Sequence, residues 1–196
     1  MAWLNKTTLN GKKAKLIPLE KSHREGLLAA ASDGKLWELW YTSVPSEDSI
    51  DQYIETALTE QLHGRALPFT ILDASTNKII GCTRYCNAVP NSRRLEIGYT
   101  WYAKSCQKTG INTECKYLLL QYAFEQLNCI AVEFKTHSHN RNSQRAISRL
   151  GAKLDGVIRN HSITKNGIIR DACMYSIIQS EWEVVKFSLD FEMGKY

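Results

Sequence analysis

Gln107, Lys108, Thr109 and Gly110 separate a strand-like run, "LEIGYTWY" (95–102), from a helix-like one, "KYLLLQYAFEQL" (116–127). A junction of this kind aims successive backbone N–H groups, and the positive end of a helix, at one point in space. Gly110 predicts a turn with φ > 0, and residues 107–113 would present their amides in series. Lys108 adds a full positive charge to the half charge of the helix end. The chemistry such a loop suits is the binding of a diphosphate. The chain lacks the G-x4-G-K-[ST] phosphate loop and the G-x-G-x-x-G dinucleotide fingerprint. On spacing alone, a plain β–α turn with a glycine cap is the commoner explanation.

No metal chemistry is expected. Cys82 and Cys86 form a C-x3-C on a strand, which separates them by about 13 Å, beyond the reach of one ion. His137 and His139 flank a strand end without evident partners. The six cysteines (82, 86, 106, 115, 129 and 173) lack secreted-scaffold spacing and read as reduced thiols used as small core residues.

The elements that must position the loop follow from periodicity. "AKLIPL" is a short strand, and "SHREGLLAAAS" a helix opened by a Ser22–Glu25 capping box. After an aromatic break, Pro45 and Ser46 start a second helix over roughly 47–62. "LPFTILD" and "KIIGCTRYCNA" form an antiparallel hairpin around "ASTN", and "RRLEIGYTWY" is the next strand. In the helix after the loop, Ile111, Cys115, Leu118, Leu119 and Tyr122 share one face. "CIAVEFKTH" alternates as a strand. "NSQRAISRLG" is a short helix closed by Gly151. Two strands flank Asn166-Gly167, a strong hairpin signal. "EWEVVKFSL" reads as a final helix. The order β-α-α-β-β-β-α-β-α-β-β predicts one mixed-sheet α/β domain over 1–196, with a core of about 13–180 and a C-terminal helix and tail at 181–196.

Composition bounds the function classes. The chain has 196 residues, 43% apolar and 23% charged, which reads as one soluble, globular domain. No run of about 18 apolar residues predicts a membrane span, and the N-terminus lacks a signal-peptide h-region, so a cytoplasmic location is the expectation. The net charge of +5 is dispersed, without a basic stripe or interleaved stacking aromatics, so nucleic-acid binding is not expected.

The segment Gln107-Lys108-Thr109-Gly110-Ile111-Asn112 resembles the Q/R-x-x-G-x-G/A pyrophosphate loop of the GNAT acetyltransferases. "HNRNSQRAISRLGA" resembles that family's N-x-x-S-x-x-x-x-x-x-L-G-A/F segment, and the element order matches its fold. The nearest branch contains the ribosomal-protein Nα-acetyltransferases. The resemblance implies a V-shaped split between the "LEIGYTWY" and "AVEFKT" strands, with acetyl-CoA as co-substrate wedged into it. Backbone groups around Trp101 and Tyr102 would pair with the pantetheine arm. Gln107, Lys108, Thr109, Gly110, Ile111, Asn112 and Thr113 would surround the diphosphate, and Asn140 and Ser143 would line the thioester end. Two positions depart from the pattern: Asn112 replaces the last Gly/Ala of the loop, and Ile147 replaces a frequent Tyr that protonates the leaving thiolate.

The resemblance also implies the chemistry. An acceptor ammonium must lose a proton before attacking a thioester, and Glu96 is the candidate base, through a water. A salt bridge to Arg93 or Arg94 is its bland alternative. Ser143 is the candidate donor to the departing sulfur, or else a helix cap. Trp40 and Tyr41, in the connection that walls the acceptor site in this family, and Arg84 and Tyr85 are candidate substrate contacts. The leading reading is an N-acetyltransferase acting on a primary amine, either a protein N-terminus or a small molecule. A non-catalytic acyl-CoA sensor is the alternative. No membrane or nucleic-acid partner is expected, and a homodimer is left open.

Overall fold

Alternating burial writes the sheet. Ala14 and Leu16 are fully buried in one strand, and Leu67, Phe69 and Ile71 in its neighbour. The structure, a computed structural model, describes residues 3–164 and 167–194. In chain order the elements are β1 (Leu9–Asn10), β2 (Ala14–Pro18), α1 (Arg24–Ser32), α2 (Ile50–Leu62), β3 (Leu67–Asp73) and β4 (Ile79–Val89). Then come β5 (Arg94–Tyr102), α3 (Ile111–Gln121), β6 (Ala131–His137), α4 (Arg141–Arg149), β7 (Lys153–Ile163), β8 (Ile169–Ile178) and α5 (Trp182–Met193). One mixed sheet runs in the order β1-β2-β3-β4-β5-β6-β8-β7. The α/β order expected from periodicity holds, with the two-residue β1 added at the sheet edge.

Every neighbouring pair is antiparallel except β5 and β6, which are parallel and joined by the crossover helix α3. That parallel pair is short. It holds Arg94↔Ala131, Leu95↔Val132 and Glu96↔Glu133, and beyond these residues the strands part. The split expected in mid-sheet is therefore present, with its apex at Glu96 and Glu133.

The two faces carry separate cores. On the α3 side, Phe69, Tyr85, Leu95, Ile97, Leu119, Leu120 and Phe134 cluster. On the other side, α1 and α2 bury Leu27, Ala31, Ile50 and Ile54 against Cys82 and Trp101. The buried stripe of α3 differs from the expected one. Ile111, Cys115 and Leu119 are buried as the spacing predicts, but Leu118 and Tyr122 are only half-buried, and Lys116 is buried in their stead.

Local chemistry explains the shifted boundaries. Ser22 does not cap α1, because a 3-10 turn at Lys21–His23 tightens the entry and the Glu20 amide donates to His23 Nδ1 (3.2 Å). The Ser46 amide donates to Ser49 Oγ (2.9 Å), which holds the chain in a turn and delays α2 to Ile50. The β3–β4 turn is closed by Asp73, whose carboxylate accepts the Ser75 and Thr76 amides at 2.9 Å. In the β7–β8 hairpin Gly167 has φ 78°, as a tight turn needs, while Asn166 lies outside the described residues.

Candidate active site

The loop after β5 folds on itself. The Gln107 amide donates to Lys104 O (3.2 Å) and its side chain donates to Tyr102 O (3.2 Å). Thr109 Oγ1 donates to Cys106 O (2.7 Å). Lys108 (φ 64°) and Gly110 (φ 88°) are both left-handed, so the chain turns sharply twice before α3 begins. The first helical bond of α3 is Glu114 N–H to Gly110 O (3.1 Å). From Lys108 to Thr113, no backbone amide donates to any group among the described residues. Gln107 is a correction to the expected run, since its amide is already engaged. The remaining six amides at the start of a helix suit an anion.

Two groups absent from the sequence-level expectation brace this loop. Lys13 Nζ donates to Thr109 O (3.1 Å), which adds a second cation beside Lys108. The buried Glu114 carboxylate accepts the amides of Lys12, Lys13 and Ala14 (2.9, 2.8 and 2.8 Å) and ties the β1–β2 turn to the first turn of α3. Only the fold brings residues 12–14 to residue 114, so no local pattern points to this contact.

Upstream, β5 carries a bulge. Gly98 pairs with Arg84 and Trp101 with Cys82, so one extra residue of β5 is accommodated, and Tyr99 takes φ 52°. The bulge sends Thr100 to the α3 face, where its Oγ1 lies 2.7 Å from Thr83 Oγ1. Glu96, before the bulge, is buried (5% exposed) on the opposite face. Its Oε2 accepts from Asn87 Nδ2 (2.7 Å) and lies 3.3 Å from Lys135 Nζ. Oε1 has no partner among the described residues. The expected alternative pairing with Arg93 or Arg94 does not form, since Arg94 pairs with Glu133. A Cβ at Gly98 would come within 3.0 Å of Glu96 Oε1, so a glycine there keeps room for the carboxylate.

A family model described as an acetyltransferase (GNAT) domain matches residues 14–153. The chain belongs to the GNAT acetyltransferase family. A "Probable N-acetyltransferase" of Bacillus subtilis (strain 168) is 25% identical over 186 residues, covering 89% of this chain and 99% of that protein. A "Putative ribosomal N-acetyltransferase" of the same strain is 35% identical over 92 residues, 47% of this chain and about half, 49%, of that relative. A solved structure described as a "putative acetyltransferase", from T. thermophilus, has a TM-score of 0.84 at 30% identity, covering 97% of this chain and 98% of that one. The protein is thus an N-acetyltransferase of a family that uses acetyl-CoA.

Across the sheet from α3 lie the side chains that could meet an acceptor. Arg84 is buried (3% exposed), its guanidinium 3.9 Å from the Tyr99 ring centroid and 4.9 Å from that of Tyr53. Its Nε and Nη2 have no hydrogen-bond partner among the described residues. Tyr85, expected to share this site, does not: strand alternation turns it into the α3 core, where its hydroxyl donates to Leu119 O (2.5 Å). Trp101 is likewise a packing residue, its indole N–H donating to the Tyr53 hydroxyl (3.2 Å). Tyr102 is buried on the α3 side.

Trp40 reaches over from the α1–α2 connection. Its half-exposed ring meets His137 edge-on (4.8 Å between centroids), and it also touches Tyr41 (5.7 Å) and His139 (6.0 Å). His137 Nδ1 accepts the His139 amide (2.9 Å), so a neutral ring carries its proton on Nε2, which is buried without a partner among the described residues. Burial, with Arg170 and His139 adding to it, lowers the His137 pKa. His137 is thus a donor at neutral pH, which sequence reading considered only as a metal ligand. Among the described residues, no cluster of three or more metal-ligating side chains occurs.

At the start of α4, Asn140 is the cap: its side chain accepts the Ser143 amide (3.0 Å). Ser143 is half-buried and does not itself cap the helix, which removes its bland alternative role. Ile147, where the family often has Tyr, is buried in the core cluster. A further side chain, Lys116 of α3, was missed. It is buried at 5% exposure and donates from Nζ to Thr100 Oγ1 (2.5 Å).

Proposed function

We propose that the protein transfers the acetyl group of acetyl-CoA to a primary amine, with a protein N-terminal α-amine as the acceptor class. The observation that carries this reading is the run of six unpartnered amides, Lys108 to Thr113, which follows the end of β5 that is no longer paired with β6. Those amides, with Lys108 and Lys13, would hold the diphosphate. The unpaired edge of β5 near Trp101 and Tyr102 would accept the pantetheine arm as a strand accepts its neighbour. Asn140 and Ser143 would border the thioester. Acetyl-CoA supplies the activated acyl carbon.

Glu96 is suited to take the proton of the acceptor. Lys135 and Asn87 both contact Oε2, which orients the carboxylate and leaves Oε1 for a water. The Cys86 thiol beside it is no competing nucleophile: burial, then Glu96, pushes it up to about 12. Direct attack by the amine is therefore favoured over an acetyl-cysteine intermediate. An α-amine, with a pKa near 8, is easier to deprotonate than a lysine side chain at about 10.4. Similarity to a relative described as a ribosomal N-acetyltransferase supports the same class.

One observation favours a second reading. Ile147 offers no proton to a leaving thiolate, as an acyl-CoA-binding domain without turnover would not need to. Free-thiol release from acetyl-CoA, measured with small amines and with peptides beginning in Ala, Ser or Met, separates the two. Amine-dependent release with one acetyl group added to the peptide is expected. Tight acetyl-CoA binding with no release for any acceptor would favour the sensor.

A further inference from the structure

Lys116 is the one buried lysine among the described residues, and it forms no ion pair with a carboxylate there. An isolated buried ammonium is costly, and methionine would fill the same space without that cost. Its position bears on the split. Nζ donates to Thr100 on β5 and lies 5.9 Å from the ring centroid of Phe134 on β6. Both residues lie beyond Glu96↔Glu133, the last pair before the strands part. Lys116 therefore reaches both arms of the wedge from the α3 side, opposite the face that carries Glu96. Only the bulge at Tyr99 makes this contact available, because it turns Thr100 away from the Glu96 face.

The six free amides and Glu96 mark the two ends of the unpaired stretch of β5, with Thr100 between them. A thioester-bearing arm that starts at the amides and reaches toward Glu96 must pass Lys116. We propose that Lys116 is a catalytic residue of the transfer, its ammonium donating a proton to the coenzyme A sulfur as the thioester opens. This rests on the acetyl-transfer reading above and supplies the group that Ile147 cannot.

The step balances. The neutral amine nitrogen forms the new C–N bond and gives one proton to Glu96. The C–S bond breaks with its electron pair going to sulfur, which takes one proton from Lys116 Nζ. Proton return from Glu96 to Lys116 through solvent restores both, leaving an amide and a thiol. Burial lowers the Lys116 pKa to about 7, close to that of a thiol whose own pKa an adjacent cation lowers, so the proton can pass between the two at little cost. The titratable groups facing it are Cys115 on its own helix and Cys86 on β4, both thiols pushed up to about 12 by burial and so neutral. From β5 and β6 it meets Thr100 and Phe134, which do not titrate there.

The test needs no acceptor. Thiolate absorbance in the ultraviolet gives the pKa of the coenzyme A thiol bound to the protein. With wild type, that pKa should fall below its solution value by about 1 to 3 units, as an adjacent cation requires. Lys116→Met should abolish the shift and still bind coenzyme A. A bound thiol with the same pKa in both proteins would overturn the proposal. Should the variant not fold, wild type labelled with 13C-lysine reads the same contact. The Lys116 titration should move upward with coenzyme A and not with desulfo-coenzyme A, and identical titrations with both would equally overturn it. Failure of wild type to bind coenzyme A at all would instead sink the acetyl-transfer reading itself.

Discussion

Between Lys108 and Thr113 the groups that would face a ligand are backbone amides, fixed by two left-handed residues and one helix end. Across the sheet, around Arg84, Glu96 and His137, they are side chains whose neighbours come from α2, β4, β5, β6 and the α1–α2 connection. A site made of amides depends on chain geometry and tolerates a change such as Asn112. A site made of side chains depends on distant partners and, on the proposed reading, would carry the choice of acceptor. The two halves should therefore fail differently when single residues are changed.

The largest effect is expected on the chemical step. Glu96→Gln keeps the contact with Asn87 but removes the proposed base, so kcat should fall by about 100-fold or more while acetyl-CoA affinity holds. A variant with wild-type kcat from pH 6 to 9, on the order of the range where α-amines titrate, would assign the base elsewhere. Gly110→Val should do the reverse. A β-branched residue at φ 88° costs about 1 to 3 kcal/mol, so the melting temperature drops and the amides lose their aim. Calorimetry should show acetyl-CoA affinity falling, and unchanged affinity would separate the loop from the diphosphate. Lys108→Glu is milder, on the order of tenfold in affinity, since it inverts one exposed charge and leaves the amides in place.

Stability sharpens the contrast through Lys116. Its folded pKa, about 7, lies below the unfolded value near 10.4, so between these the unfolded chain binds more protons. Wild-type stability should then rise with pH across that window, relative to Lys116→Met. At pH 6 to 7, roughly where the folded lysine is still charged, the methionine variant should melt higher. Parallel melting curves for the two proteins across pH would mean the lysine is not held as the structure shows. The smallest effect is reserved for Ser143→Ala. Because Asn140 is the cap, this change should leave stability within about 0.5 kcal/mol, whereas Asn140→Ala should cost about 1 kcal/mol. With Lys116 as proton donor, Ser143→Ala should lower kcat by no more than about tenfold, at the weak end of proton-donor effects.

What the sequence revealed follows the same division. The loop was legible because Gly110 and the apolar stripe of α3 are neighbours in the chain, and a turn with φ > 0 needs only local residues. The chain order of the elements followed from alternation and helical spacing, whereas the split was expected only through the resemblance to the family. Lys116 was not legible. At one step from Cys115 it reads as the solvated flank of the helix, and its burial depends on where the bulge at Tyr99 sends Thr100. Tyr85 failed for a simpler reason: next to Arg84 on one strand, it has to face the other way. Glu114 and the amides it accepts are about 100 positions apart, and no spacing rule spans that distance.

Hydrogen exchange at the loop tests the central claim most directly. In the free protein the amides of Lys108 to Thr113 lack acceptors among the described residues and should exchange rapidly, while those of the following turns of α3 are protected. On saturation with coenzyme A, protection should appear at 108–113 and along the unpaired part of β5, with little change at Trp40. Binding of coenzyme A without slower exchange at 108–113 would contradict the account.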